Sequence, residues 1–73
     1  MRKLSDLSVK ETGIIQGFDN EDLSIKLIEM GCTPGTPVTI QMIAPFGDPI
    51  AVGVADYCLS IRKKDAQHVL IQD

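Results

Sequence analysis

Apolar and polar positions alternate along this chain with two different periods, and the changes of period mark its elements. Val38, Ile40 and Met42 alternate with Thr39 and Gln41, the two-residue period of a half-buried strand. Leu23, Leu27 and Met30 instead recur at i, i+4 and i+7, the spacing of one helix face. Asp19-Asn20 precede that segment with capping chemistry, and Glu21 and Asp22 place negative charge at the positive end of the helix dipole. The pattern predicts a helix over about residues 20–30, with Leu23, Leu27 and Met30 as its core stripe and Lys26 beside it. At ~100° per residue, Ile25 and Ile28 point well away from that stripe, which is unexpected for a solvated face.

The helix and the strand meet at the stretch Glu29-Met30-Gly31-Cys32-Thr33-Pro34-Gly35. Gly31 is placed to end the helix in the left-handed conformation, and Pro34, Gly35 and Pro37 redirect the chain. Before the helix, Leu4 and Leu7 anchor a turn, and Glu11 to Phe18 read as a strand interrupted by glycines, as a sharp bend or a close backbone approach requires. After β-type residues 38–42, Ala44-Pro45-Phe46-Gly47-Asp48-Pro49 breaks the pattern, because prolines do not sit in central strands. Ile50–Val54 and Tyr57–Ile61 then form a hairpin over Ala55-Asp56. A two-residue loop sets Val54 against Tyr57, Val52 against Leu59 and Ile50 against Ile61 on one sheet face. Arg62 to Gln67 is a polar turn, and His68 to Gln72 closes the chain as a strand with Val69 and Ile71 inward. Five short strands with one helix after the first fit a small, strongly bent barrel.

Composition narrows the function classes. The 73 residues allow one domain, residues 1–73, and three aromatics (Phe18, Phe46, Tyr57) leave the core to aliphatic side chains. A formal charge of −3 argues against a protein that grips phosphate backbones, so no nucleic acid partner is expected. The N-terminus lacks the apolar core of a signal peptide, and no run approaches the ~20 apolar residues of a membrane span. A cytoplasmic chain with reduced Cys32 and Cys58 and no direct membrane insertion is the expectation.

No stretch carries obvious chemistry. The soft and imidazole ligands Cys32, Cys58 and His68 fall in three elements without the local pairing of zinc sites, so neither a metal nor another cofactor is expected. Cys58 lacks a neighbouring base, and Cys32 follows a helix C-terminus, whose dipole disfavours a thiolate; no nucleophile and no catalytic residue are expected. Gly31 to Gly35 lacks the spacing and the lysine of a phosphate-binding loop. What remains is apolar surface, with Ile14, Ile25, Ile28, Ile43 and Leu70 on predicted outward faces.

The combination of Leu27-Ile28-Glu29-Met30-Gly31 and Thr33-Pro34-Gly35 with Ala44-Pro45-Phe46-Gly47-Asp48-Pro49-Ile50 and Leu59-Ser60-Ile61-Arg62-Lys63 resembles the ferrous iron transport protein A (FeoA) family. Leu23, Glu11-Thr12-Gly13 and Gly17 fit as well, so the resemblance covers essentially the whole chain. It implies a mainly β fold, a small SH3-like β-barrel of about five strands with one inserted α-helix over about residues 20–30. It also implies a non-enzymatic cytosolic accessory protein of bacterial ferrous iron uptake. Its implied partner is the membrane ferrous iron permease with a cytosolic GTP-binding domain, reached by protein–protein contact. The alternatives are an SH3-like peptide-binding module related to the C-terminal domain of iron-dependent repressors, or a direct ferrous iron-binding protein; weak homo-oligomers are compatible with each. The sequence departs from the family at Ile14, Ile25, Ala51, Gly53 and Ala55-Asp56, where polar, basic or turn residues are usual. The surface is thereby more apolar and more acidic. The expected partner contact is the outer helix face, Ile25 and Ile28, together with the corner residues Met30, Cys32, Thr33 and Pro34.

Overall fold

A computed structural model describes residues 1–72. A 3-10 turn at Leu4–Asp6 leads into β1 (Thr12–Phe18), then α1 (Glu21–Glu29), β2 (Pro37–Ile43), β3 (Ile50–Val54), β4 (Tyr57–Ile61), the short α2 (Lys63–Ala66) and β5 (Val69–Ile71). The strands form one antiparallel sheet in the order β4-β3-β2-β1-β5. Among the described residues no ladder joins β4 to β5, so the sheet is bent but open, not closed by hydrogen bonds into a barrel. Its two edges differ. The outer edge of β5 is covered by the N-terminal segment, through an Ile71 N–H to Arg2 C=O bond of 2.9 Å and a bridge between Lys3 and Leu70. Among the described residues none pairs with the outer edge of β4.

The hairpin register is the expected one: Val54 faces Tyr57, Val52 faces Leu59 and Ile50 faces Ile61. Ala55 adopts a positive φ of 53° to make the two-residue turn, a conformation costly for alanine. The buried cluster is wholly apolar, with Leu4, Ile15, Ile40, Val52 and Ile71 each at most 1% exposed, and among the described residues no buried polar side chain needs a partner. Leu4 and Leu7 anchor the first turn as expected.

Strict alternation fails where the strands bulge. The β2–β3 register shifts between Ile40 and Met42, so Gln41 is the extra residue and the phase of β2 reverses beyond it. Met42, expected inward, is 60% exposed, and Ile43, expected outward, packs against the core instead. A second shift between Ile15 and Gly17 bends β1 where it leaves β2 for β5. Leu70 is half-buried rather than outward, because the N-terminal segment pairs with it. The last strand is shorter than its apolar run, since His68 belongs to the turn after α2 and bonds Asp65.

Gly13 sits in β1 where a side chain would collide with the core. A Cβ at this position would lie 2.8 Å from Ile71 Cγ2 and 3.1 Å from Leu7 Cδ1. Gly13→Ala should therefore destabilise the protein by ~1–3 kcal/mol, the usual range for overpacking, as measured by urea unfolding. The mirror-image test is Ala55→Gly, which should leave the fold intact and raise the unfolding midpoint, because only glycine takes a positive φ without a steric cost.

Candidate partner-binding surface

The helix start follows local chemistry. Asn20 is the N-cap, and its side-chain oxygen accepts the Leu23 N–H at 3.0 Å, satisfying one of the donors a helix leaves unpaired. Leu23 and Leu27 are buried as expected. Met30 is not the third residue of that stripe. Helical geometry ends at Glu29, and Met30 is the C-cap with φ −89° and ψ 5°, which leaves its side chain 40% exposed.

The stop is a Schellman motif. Gly31 takes φ +95°, its N–H bonds Ile28 C=O at 3.0 Å, and the Cys32 N–H reaches Leu27 C=O at 2.9 Å. In this motif the residue after the left-handed one turns inward onto the last helical turn. Cys32 accordingly is 2% exposed and lies in the same buried cluster as Leu27. Cys32 is therefore no surface contact residue, contrary to the expectation from sequence. Burial pushes its thiol pKa up, further from thiolate chemistry. Thr33 and Pro34 are exposed, and the two hydroxyls of Thr33 and Thr36 bond each other at 2.9 Å. The turn is then fastened to β1 by Gly35 N–H to Ile15 C=O at 2.7 Å and Ile15 N–H to Thr36 C=O at 3.0 Å.

Two surfaces result. On the outer side of α1, Ile25 is 58% and Ile28 42% exposed. They stand three residues apart and are neighbours on the helix surface. On the other side, a groove of about 240 Å³ separates α1 from β4 and α2. Leu23, Leu27 and Met30 meet Leu59 and Ile61 across it, while Lys26, Arg62 and Asp65 supply its charge. Tyr57 bounds the helix end: a Cβ on Gly31 would stand 2.7 Å from the Tyr57 hydroxyl oxygen. Tyr57, expected on the buried face of the hairpin, is 45% exposed, with its hydroxyl beside Gly31.

The remaining candidates are dispersed. Cys58 is exposed on β4, and His68 Nδ1 lies 2.6 Å from Asp19 Oδ1, clasping the start of β5 to the end of β1. Among the described residues no three of His, Cys, Asp and Glu come together. Asp48 accepts the Lys63 N–H at 2.9 Å, so the Ala44–Pro49 loop caps the start of α2. That loop also presents Phe46, 98% exposed, which sequence reasoning left out of the candidate surface. The signal was a single aromatic between Pro45 and Gly47, in a segment with no apolar period to bury it.

A protein-family model described as the FeoA domain matches residues 2–73. Among curated proteins, the Porphyromonas gingivalis Fe(2+) transport protein A/Fe(2+) transporter FeoB fusion protein is 28% identical over 71 residues, covering 96% of this chain. This chain spans only 8% of that relative's length. Among solved structures, the FeoA-like protein from Clostridium acetobutylicum is 33% identical with a TM-score of 0.86, covering 99% of this chain and 88% of its own. The Stenotrophomonas maltophilia FeoA complexed with zinc, a prokaryotic SH3 domain protein, superposes with a TM-score of 0.85 at 22% identity. It covers 99% of this chain and 91% of its own, and at that identity it establishes a shared SH3-like fold.

The corner makes two measurable demands. Gly31→Ala should cost at least ~1–2 kcal/mol from the left-handed backbone alone, and more once the Tyr57 hydroxyl is displaced, as read by thermal unfolding. Titration of the native protein with an aromatic disulfide reagent should modify Cys58 promptly and Cys32 only on unfolding; prompt modification of both would contradict the buried corner.

Proposed function

The chain belongs to the FeoA domain family, and on that premise we propose that it is a cytoplasmic accessory protein of ferrous iron uptake that works by binding the cytosolic, GTP-binding part of the ferrous iron permease. The observation that carries this reading is the fusion relative, in which a sequence similar to this whole chain is joined covalently to an Fe(2+) transporter. Joining two modules raises their effective concentration to the millimolar range for a short linker, which benefits only domains that meet.

The outer face of α1 suits that task. Ile25 and Ile28 expose branched apolar side chains where a solvated helix carries polar ones, and removing them from water on contact is favourable at about 25 cal/mol per Å². Met30, Thr33 and Pro34 extend the surface past the helix end, and the Schellman corner holds them at a fixed angle to the sheet. The role we propose is contact; the exposed thiol of Cys58 and the His68–Asp19 pair belong to separate elements and lie apart from the outer helix face.

The test is a binding titration of the purified permease cytosolic domain against this protein, with and without guanine nucleotide. Saturable binding is expected. The Ile25→Asp, Ile28→Asp double variant should lose more than ~10-fold in affinity, the mark of central interface residues, while melting like the wild type. Undiminished binding by that variant would remove the helix face from the contact.

A further inference from the structure

We propose that the free edge of β4 and the groove beside it form a second binding site, which takes an extended peptide segment with alternating apolar and acidic residues as an added sixth strand. This site goes beyond the permease contact proposed above and uses none of the outer-face isoleucines.

Val54 and Tyr57 close a two-residue hairpin and so form a hydrogen-bonded pair. Antiparallel pairs alternate, which turns the N–H and C=O groups of Cys58 and Ser60 away from β3. Among the described residues no hydrogen bond outside the β3 ladder uses the backbone of Tyr57 to Ile61. Sheet edges are ordinarily protected by charge, proline, a bulge or a covering segment. The β5 edge has such a cover in Arg2 and Lys3. Tyr57-Cys58-Leu59-Ser60-Ile61 has no cover, no charge, no proline and an unbroken register with β3. One edge is sealed and the other is left able to pair.

The groove opens along this same edge. Leu59, Ser60 and Ile61 form one wall, and Leu23 and Leu27 of α1 with the C-cap residue Met30 form the other. A strand added to β4 would lay every second side chain over that apolar wall, and about five residues would span it. Lys26 and Arg62 stand at the groove, both exposed and neither in an ion pair among the described residues. Among the described residues Asp65 is the one acidic residue that lines it, so their side chains give the site a net positive charge within a protein of formal charge −3. An acidic side chain on the incoming strand complements that pair of cations, and a basic one opposes them. A second copy of this chain fits less well than a bare strand, because α1 lies along this edge and pairing β4 with β4 would bring two such helices together.

The probe is a capped octapeptide of alternating valine and glutamate, titrated into isotopically labelled protein by amide NMR and calorimetry. Saturable binding is expected, with the Cys58 and Ser60 amides shifted and slowed in hydrogen exchange. The same peptide N-methylated at alternate residues cannot make the ladder and should bind more than ~10-fold more weakly, a control that leaves the protein unaltered. Ser60→Pro, which removes an edge N–H where proline is tolerated, should weaken binding likewise. Lysine in place of glutamate, or Lys26→Glu with Arg62→Glu, should also reduce it. The Ile25→Asp, Ile28→Asp variant should bind the peptide as the wild type does, which separates this site from the permease contact. No binding up to ~1 mM, or equal binding of the N-methylated peptide, overturns the proposal. So does a concentration-dependent dimer abolished by Ser60→Pro, which would assign the edge to a second copy.

Discussion

The left-handed turn at Gly31 is the constraint on which the rest of this structure depends. It ends α1, brings Cys32 under the last helical turn and sends the chain towards β2 within a few residues. The bonds of Gly35 and Thr36 to Ile15 then fix that turn against β1. Helix and sheet thus become one unit through backbone geometry, and among the described residues no polar side chain is buried to accomplish it. The outer isoleucines and the groove both take their positions from this junction, because both are faces of the same helix.

Bulges are the second determinant. A flat five-stranded sheet could not wrap a core this small, and the shifts at Gln16 and Gln41 supply the bending. The bulge in β2 also exchanges the environments of Met42 and Ile43, adding an exposed methionine on one side and closing the core on the other. The sheet stops short of closure, and the two edges left over are treated differently. Covering β5 with the N-terminal segment while leaving β4 bare makes the surface asymmetric, and α1 converts the bare edge into one wall of a groove.

The exposed apolar groups are spread over several elements, among them Ile25 and Ile28 on the helix, Met30 at its end, Met42 on β2, Phe46 on its loop and Tyr57 at the hairpin. Each is carried by an element whose ends are fixed by a cap, a ladder or a turn. Such placement lowers the ordering entropy lost on association, which lets a small contact be specific. The FeoA family membership and the fused relative support the proposed contact with an iron transporter, and the open edge carries the separate site proposed for an added strand.

The sequence by itself determined the elements, the hairpin register, the helix cap and stop, and most of the core, because each rests on chemistry within a few residues. Asn20 caps, Gly31 stops, and Val52, Val54 and Ile61 alternate in a way that a local pattern reveals. Only the tertiary structure decided the fates of Met30, Cys32, Met42 and Tyr57, whose exposure follows from contacts and register shifts rather than from period. It alone separated the covered edge from the open one. That difference depends on Arg2 and Lys3 meeting Leu70 and Ile71 across nearly the full length of the chain, a distance over which hydrophobic patterning carries no information.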